Sequence, residues 1–193
     1  MTLLTTLEKI IQRHRYTTPD DIRKTFGDYH NALHWLALFL VGDEELAQEC
    51  VIDVCTIATG DTPKFHEWLI DWAVRATFRA AFQYRRMAVE ELAPVYEKEQ
   101  PVHEEHPPLL AEQFRQLIRH SKHVHSHLDV LCRFVLVMRG IAKDSVNEVA
   151  AQLRISPSAA ERAYCIGFDI VAQLPQLTSY GTDAAVKLIT CLD

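Results

Sequence analysis

Ten histidines stand in this 193-residue chain, and imidazole is both a common zinc ligand and the side chain that titrates near neutral pH. Four of them, His120, His123, His125 and His127, crowd the stretch HSKHVHSH, and His103 and His106 bracket HEEH. HEEH lacks the ligand spacing of a HExxH zinc helix. The other stretch falls between helical patterns, where histidine is freely tolerated, and has no cysteine beside it. The expectation is no metal, with a pH-sensitive linker as the alternative. The five cysteines Cys50, Cys55, Cys132, Cys165 and Cys191 are scattered, odd in number and never spaced as CxxC. That pattern points to reduced, buried thiols in a cytoplasmic protein. No glycine-rich phosphate loop, GxSxG or distinctive Cys-His arrangement occurs, so neither catalysis nor a cofactor is expected.

Nucleic-acid chemistry has better material. In FHEWLIDWAVRATFRAAFQYRR, helical spacing puts Arg75, Arg79 and Arg86 on one face with Arg85 beside it, interleaved with Trp72 and Phe82. Arginine contacts phosphate, and aromatic rings stack on unpaired bases. The competing reading makes Trp68, Trp72, Phe78 and Phe82 core, with the arginines solvating the outer face and Arg85 and Arg86 complementing the helix C-terminus. A second stretch, SVNEVAAQLRISPSAAERAYCIGFDIV, has the rhythm of a helix-turn-helix. Ser145 and Glu148 form a capping box, Val149, Ala150 and Leu153 an apolar stripe, and Ser156-Pro157 the N-cap and first residue of the next helix. That second helix offers few donors for a duplex: Ser158, Arg162 and Gln173, with Arg154 near the turn. Either it reads DNA weakly, or the motif is kept for packing or protein contact. Glu49 and Asp53, at i and i+4, are a like-charged pair that hints at a basic partner, though a solvated acidic face explains it equally.

The elements around these residues are predicted to be helical, and strand-like alternation is scarce. A short amphipathic helix is predicted over residues 3–13. Thr18-Pro19 opens the next, which ends near Val41-Gly42. Asp43 caps a third, with Leu46, Cys50, Val54 and Ile57 on its stripe. Thr62-Pro63 opens a long fourth helix reaching Met87 or Glu90. APVYEKEQPVHEEHPP, with four prolines, then reads as an exposed acidic linker. Helices over 109–119 and 127–138 precede the helix-turn-helix, and a last short one follows Thr182. The fold expected is all-α: a helical domain over 1–90, an acidic linker over 91–108, a helix-turn-helix domain over 109–175 and a tail over 176–193.

Charge limits what such a chain does with nucleic acid. The formal net charge is −6, and residues 90–112 hold seven acids and one base, so the remainder sums to zero. Without a basic domain, tight non-specific DNA binding is not expected, because neutralised phosphates supply most of that affinity. No run of about 18 apolar residues suggests a membrane span, and the N-terminal residues do not follow a signal-peptide pattern.

Together the two halves resemble a bacterial RNA polymerase sigma factor of the sigma-70 family. They are most similar to the small extracytoplasmic-function type, which has only the second and fourth conserved regions. In YHNALHWLALFLVGDEELAQECVIDVC, the residues Tyr29, Leu33, Gly42, Asp43 and Ala47 follow the opening of region two. Glu49 stands at the family's Asp, Ile52 replaces Gln and Asp53 replaces Glu. The family's helix binds the β′ clamp helices of core polymerase, so the resemblance assigns polymerase binding to Glu49 and Asp53. The Trp-rich segment resembles the helix that opens and holds the −10 element, assigning Trp72, Arg75, Arg79, Phe82, Arg85 and Arg86 to the melted strand. There Val74 and Arg75 stand where Arg-Asn is usual, and Arg79 replaces a common Asp. In the second half, Ser145, Glu148, Val149, Ala150, Leu153, Ile155 and Ser156 follow region four. Arg154 takes the place of the turn glycine, and Ala159-Ala160-Glu161-Arg162-Ala163 replaces Thr-Val-Lys-Ser-Arg. The resemblance assigns Arg154, Ser158 and Arg162 to the −35 duplex. It implies core RNA polymerase and promoter DNA as partners, an anti-sigma factor as a further one, and work in the cytoplasm away from any membrane. A diverged interaction module that binds polymerase or a regulator without selecting promoters is the alternative.

Overall fold

A computed structural model describes residues 16–60, 66–98 and 127–173, which form six α-helices and one 3-10 turn, with no strand among the described residues. Helix α1 spans Pro19–Val41. Its start is a reciprocal capping box: the Thr18 hydroxyl accepts from the Asp21 amide at 3.2 Å, and the Asp21 carboxylate accepts from the Thr18 amide at 2.9 Å. It stops at Gly42, whose φ of 69° is left-handed. Asp43 caps helix α2, Glu44–Ala58, by accepting from the Leu46 amide at 2.9 Å. The buried stripe of α2 is Ala47, Cys50, Val51, Val54 and Ala58. Ile57, expected inside, is 59% exposed. Each residue advances a helix by about 100°, so a stripe centred on Val51 and Val54 takes Ala58 and turns Ile57 out.

Helix α3, Leu69–Lys98, follows the 3-10 turn His66–Trp68. The expected opening at Thr62-Pro63 lies outside the described residues. At its other end α3 outruns the expected stop at Met87 or Glu90 and carries Pro94 inside it. A proline there gives up a backbone hydrogen bond and costs about 3 kcal/mol. Tertiary contacts offset this: Ala93 and Tyr96 are buried, and the Tyr96 hydroxyl donates to Asp129 and lies 3.0 Å from the Cys132 sulfur. Residues 91–98, expected to begin the linker, are therefore helix. The rest of that linker, the helices expected over 3–13 and 109–119, and the tail lie outside the described residues.

Asp129 caps helix α4, Val130–Gly140, accepting from the Cys132 amide at 2.8 Å. All nine residues from Val130 to Met138 are buried, Arg133 included. A helix covered on every side is a central element, and α4 packs against α1 and α3 as well as against the two helices after it. These are α5, Val146–Leu153, and α6, Pro157–Gln173. The Ser145/Glu148 capping box forms as expected, and the Ser156 hydroxyl accepts from the Ala159 amide at 3.2 Å. Helix α6 lies tight on α4, since a Cβ at Gly167 would stand 2.9 Å from Leu136 Cδ1. Among the described residues one continuous apolar core runs from α1 through α4 to α6.

Candidate functional site

Three surfaces hold the residues singled out by their chemistry. The first is acidic. Helix α2 carries Glu44, Glu45, Glu49 and Asp53 and no lysine or arginine. Glu49 and Asp53 are both exposed. The Asp53 carboxylate accepts a 3.0 Å hydrogen bond from Tyr84 on α3, so the acidic face spans two helices. That bond, with a small contribution from burial and the nearby charges of Asp53 and Glu49, pushes the Tyr84 phenol up to about 12. Large apolar side chains flank the pair: Ile52, one residue before Asp53, is 55% exposed, and Met87, one turn after Tyr84, is 84% exposed. Sequence reading does not find Tyr84 or Met87, because nothing local links them to Glu49 and Asp53, about 30 residues earlier.

The second surface is the arginine row of α3. Arg79 is exposed, and Arg75 pairs with Asp71 at 3.2 Å and with Asp144, before α5, at 3.7 Å. Arg86 bonds to Glu90 at 2.7 Å on its own helix. Arg85 turns inward and donates to the Val41 carbonyl of α1 at 2.8 Å, so it serves as a tie between helices. Trp72 is half-buried. Phe82 does not stand where a base would stack: it is 8% exposed and meets the Phe134 ring edge on at 5.8 Å. Phe78 meets the same ring at 5.1 Å. For these two phenylalanines the core reading holds, because the buried helix α4 lies against that side of α3.

The third surface is the helix-turn-helix. Ser158 is exposed and shares a 3.0 Å hydrogen bond with Ser156. Arg154 is exposed and caps the end of α5 in the left-handed region at φ 58°, the conformation that a turn glycine would supply. Arg162 is 5% exposed and so offers no charge to a groove in this arrangement. Ala159, Ala160, Ala163, Tyr164, Cys165 and Gly167 of α6 are buried with it. Glu161 is held by Arg139 of α4 at 3.0 Å, and that guanidinium also lies 4.4 Å from the centre of the Tyr164 ring. No lysine or arginine on α6 is exposed.

Among the described residues no three His, Cys, Asp or Glu side chains are grouped to hold a metal ion. His120, His123 and His125 lie outside those residues, and His127 is exposed. No described helix is long and apolar enough to cross a membrane. No protein-family model, curated protein or solved structure matches this chain. The functional reading therefore rests on the chain's own residues.

Proposed function

We propose that this protein is a sigma-like transcription-initiation factor that binds core RNA polymerase through the acidic face of α2 and α3. The observation that carries this reading is the composite surface of Glu49, Asp53 and Tyr84 flanked by exposed Ile52 and Met87. An acidic centre flanked by exposed apolar side chains suits a basic amphipathic helix, with charge steering the encounter and the apolar flanks helping to hold the complex. The motif resemblance names that partner as the β′ clamp helices. Promoter opening would use Arg75, Arg79 and Arg86 of α3 with Trp72, and Arg154 and Ser158 would touch duplex phosphates.

The test is binding of the full chain to core polymerase, wild type beside the Glu49→Lys, Asp53→Lys double variant. Binding by wild type and its loss in a folded double variant is the expected result. A folded wild type that does not bind core polymerase removes the reading.

A second reading is favoured by buried Arg162 and the lack of exposed basic residues on α6. Here the chain docks on polymerase or a regulator without selecting promoters, and its helix-turn-helix is a packing unit. It predicts almost no salt dependence of duplex binding, whereas several phosphate contacts would give a log-log slope of several units.

A further inference from the structure

One cleft joins the two halves of the molecule. It encloses about 330 Å³ between α3 on one side and the end of α4, the turn after it and α5 on the other. That lies at the small end of the range for small-molecule sites. Two parallel rows of α3 run along it at four-residue spacing: Val74, Phe78 and Phe82, and beside them Arg75, Arg79 and Gln83. The cleft thus follows the seam between the apolar and cationic faces of one helix. Val137, Met138 and Ile141 close the apolar side, and Gln152 and Arg154 bring polar groups from α5.

The charges in this cleft do not balance. It is lined by three arginines and one acid, Asp144. Asp144 is already engaged, by Arg75 at 3.7 Å and by the Gln152 amide at 3.1 Å. Among the described residues Arg79 and Arg154 are in no ion pair, in a chain whose net charge is −6. Arg154 is also held at a conformational cost. Its φ of 58° is left-handed, a region that strains any residue with a Cβ and that glycine adopts freely. Lys143 is left-handed as well, at φ 56°, but of the two only Arg154 lines the cleft.

We propose that this cleft binds a small organic phosphate monoester with an apolar body. The two surplus positive charges match the near-dianion of a monoester at neutral pH, whose three terminal oxygens accept paired donors from Arg79 and Arg154. A single carboxylate would leave one guanidinium unanswered. The apolar body lies over Val74, Phe78, Val137, Met138 and Ile141. Because the walls come from α3 and from α4–α5, the ligand bridges these elements and stabilises the folded state by mass action. The cleft lies apart from the acidic polymerase-docking face but shares Arg75, Arg79 and Arg154 with the surface assigned above to promoter DNA. Its test uses neither polymerase nor DNA, so its failure and the failure of that reading are distinguishable.

The probe is 1-naphthyl phosphate, titrated calorimetrically into the full chain. Two further titrations use 1-naphthol, which lacks the anion, and inorganic phosphate, which lacks the body. Expected are saturable one-to-one binding of 1-naphthyl phosphate, binding of each half-probe weakened at least about tenfold, and a raised Tm for the complex. Arg79→Gln and Arg154→Gly are each expected to weaken binding by a similar factor. Arg154→Gly is the decisive variant, since it removes the guanidinium while relieving the left-handed backbone, leaving Tm unchanged or higher. The proposal is overturned if folded wild type shows no saturable binding, if both variants bind like wild type, or if 1-naphthol binds as tightly as its phosphate.

Discussion

The guanidinium of Arg133 fills the space that a side chain at Gly42 would need: a Cβ there would stand 2.7 Å from Arg133 Nη1. The same nitrogen donates to the Phe39 carbonyl at 3.0 Å, and Arg85 donates to Val41 one turn-end away at 2.8 Å. The end of a helix presents unpaired carbonyls and partial negative charge. Helix α1 has no basic residue in its own last turn, so α3 and α4 each supply an arginine from a distance. Burial, and then the neighbouring charge of Arg85, lower the Arg133 pKa to about 10.

Gly42→Ala should therefore be destabilising twice over. The left-handed φ of 69° costs about 1–2 kcal/mol with a Cβ present, and the displaced guanidinium forfeits a buried hydrogen bond costing about 1–3 kcal/mol. Urea unfolding should show a loss of about 2–5 kcal/mol. A loss below about 0.5 kcal/mol, the usual range for surface substitutions, would mean that Arg133 does not lock this turn.

Tyr96→Ala tests what carries α3 past Pro94. Without the buried ring and its hydroxyl bonds to Asp129 and Cys132, residues 91–98 should lose helix while 70–90 keep it. Amide hydrogen exchange would show protection lost only beyond Pro94. Unchanged protection there would show that the helix extends without this anchor.

How much of this is legible in the sequence depends on the range of each interaction. The caps at Thr18, Asp43, Ser145 and Ser156 and the stop at Gly42 are read correctly, because each is settled by residues within one turn. The all-helical class follows from periodicity for the same reason. What escapes is long-range. Pro94 reads as a helix breaker until Tyr96 meets α4. Phe82 reads equally as a base-stacking ring or as core until Phe134 arrives beside it. Arg133 is a cation in a run of apolar residues and acquires its meaning only from the carbonyl of Phe39. Of the candidate sites, the pairing of Glu49 with Asp53 is visible locally, whereas Tyr84 joins them only by tertiary packing.

Cysteine reactivity should follow burial. Desolvation is the leading cause that pushes Cys50 and Cys132 up to about 12, and it raises Cys165 as well. The thiolate is the species that alkylates. Iodoacetamide at pH 8, read by mass spectrometry on the native protein, should modify half-buried Cys55 before these three. Early labelling of Cys132 would contradict the packing of α4.

The Glu148 cap supplies a pH signature. The Ser145 amide, then its hydroxyl, hold the Glu148 carboxyl below its ordinary value of 4.5. A depressed folded-state pKa contributes stability that is present above the unfolded value and is lost as pH falls through the folded one. Glu148→Gln should therefore melt below wild type at pH 6 and converge with it as pH drops below 4.5. Burial raises Asp144, which runs the opposite way, so the difference between the two proteins is the quantity to follow. A difference that stays constant down to pH 3 would assign the effect to shape alone.

Helix α4 has nine consecutive buried residues, with neighbouring helices that precede it and follow it in the chain. A chain cut between residues 98 and 127 would yield one piece with an open apolar trough and another with the ridge that fills it. Neither piece could leave that surface in water without a penalty of roughly 25 cal/mol per Å². The two pieces should recognise each other after cleavage, so this fold lends itself to reassembly from separately made fragments.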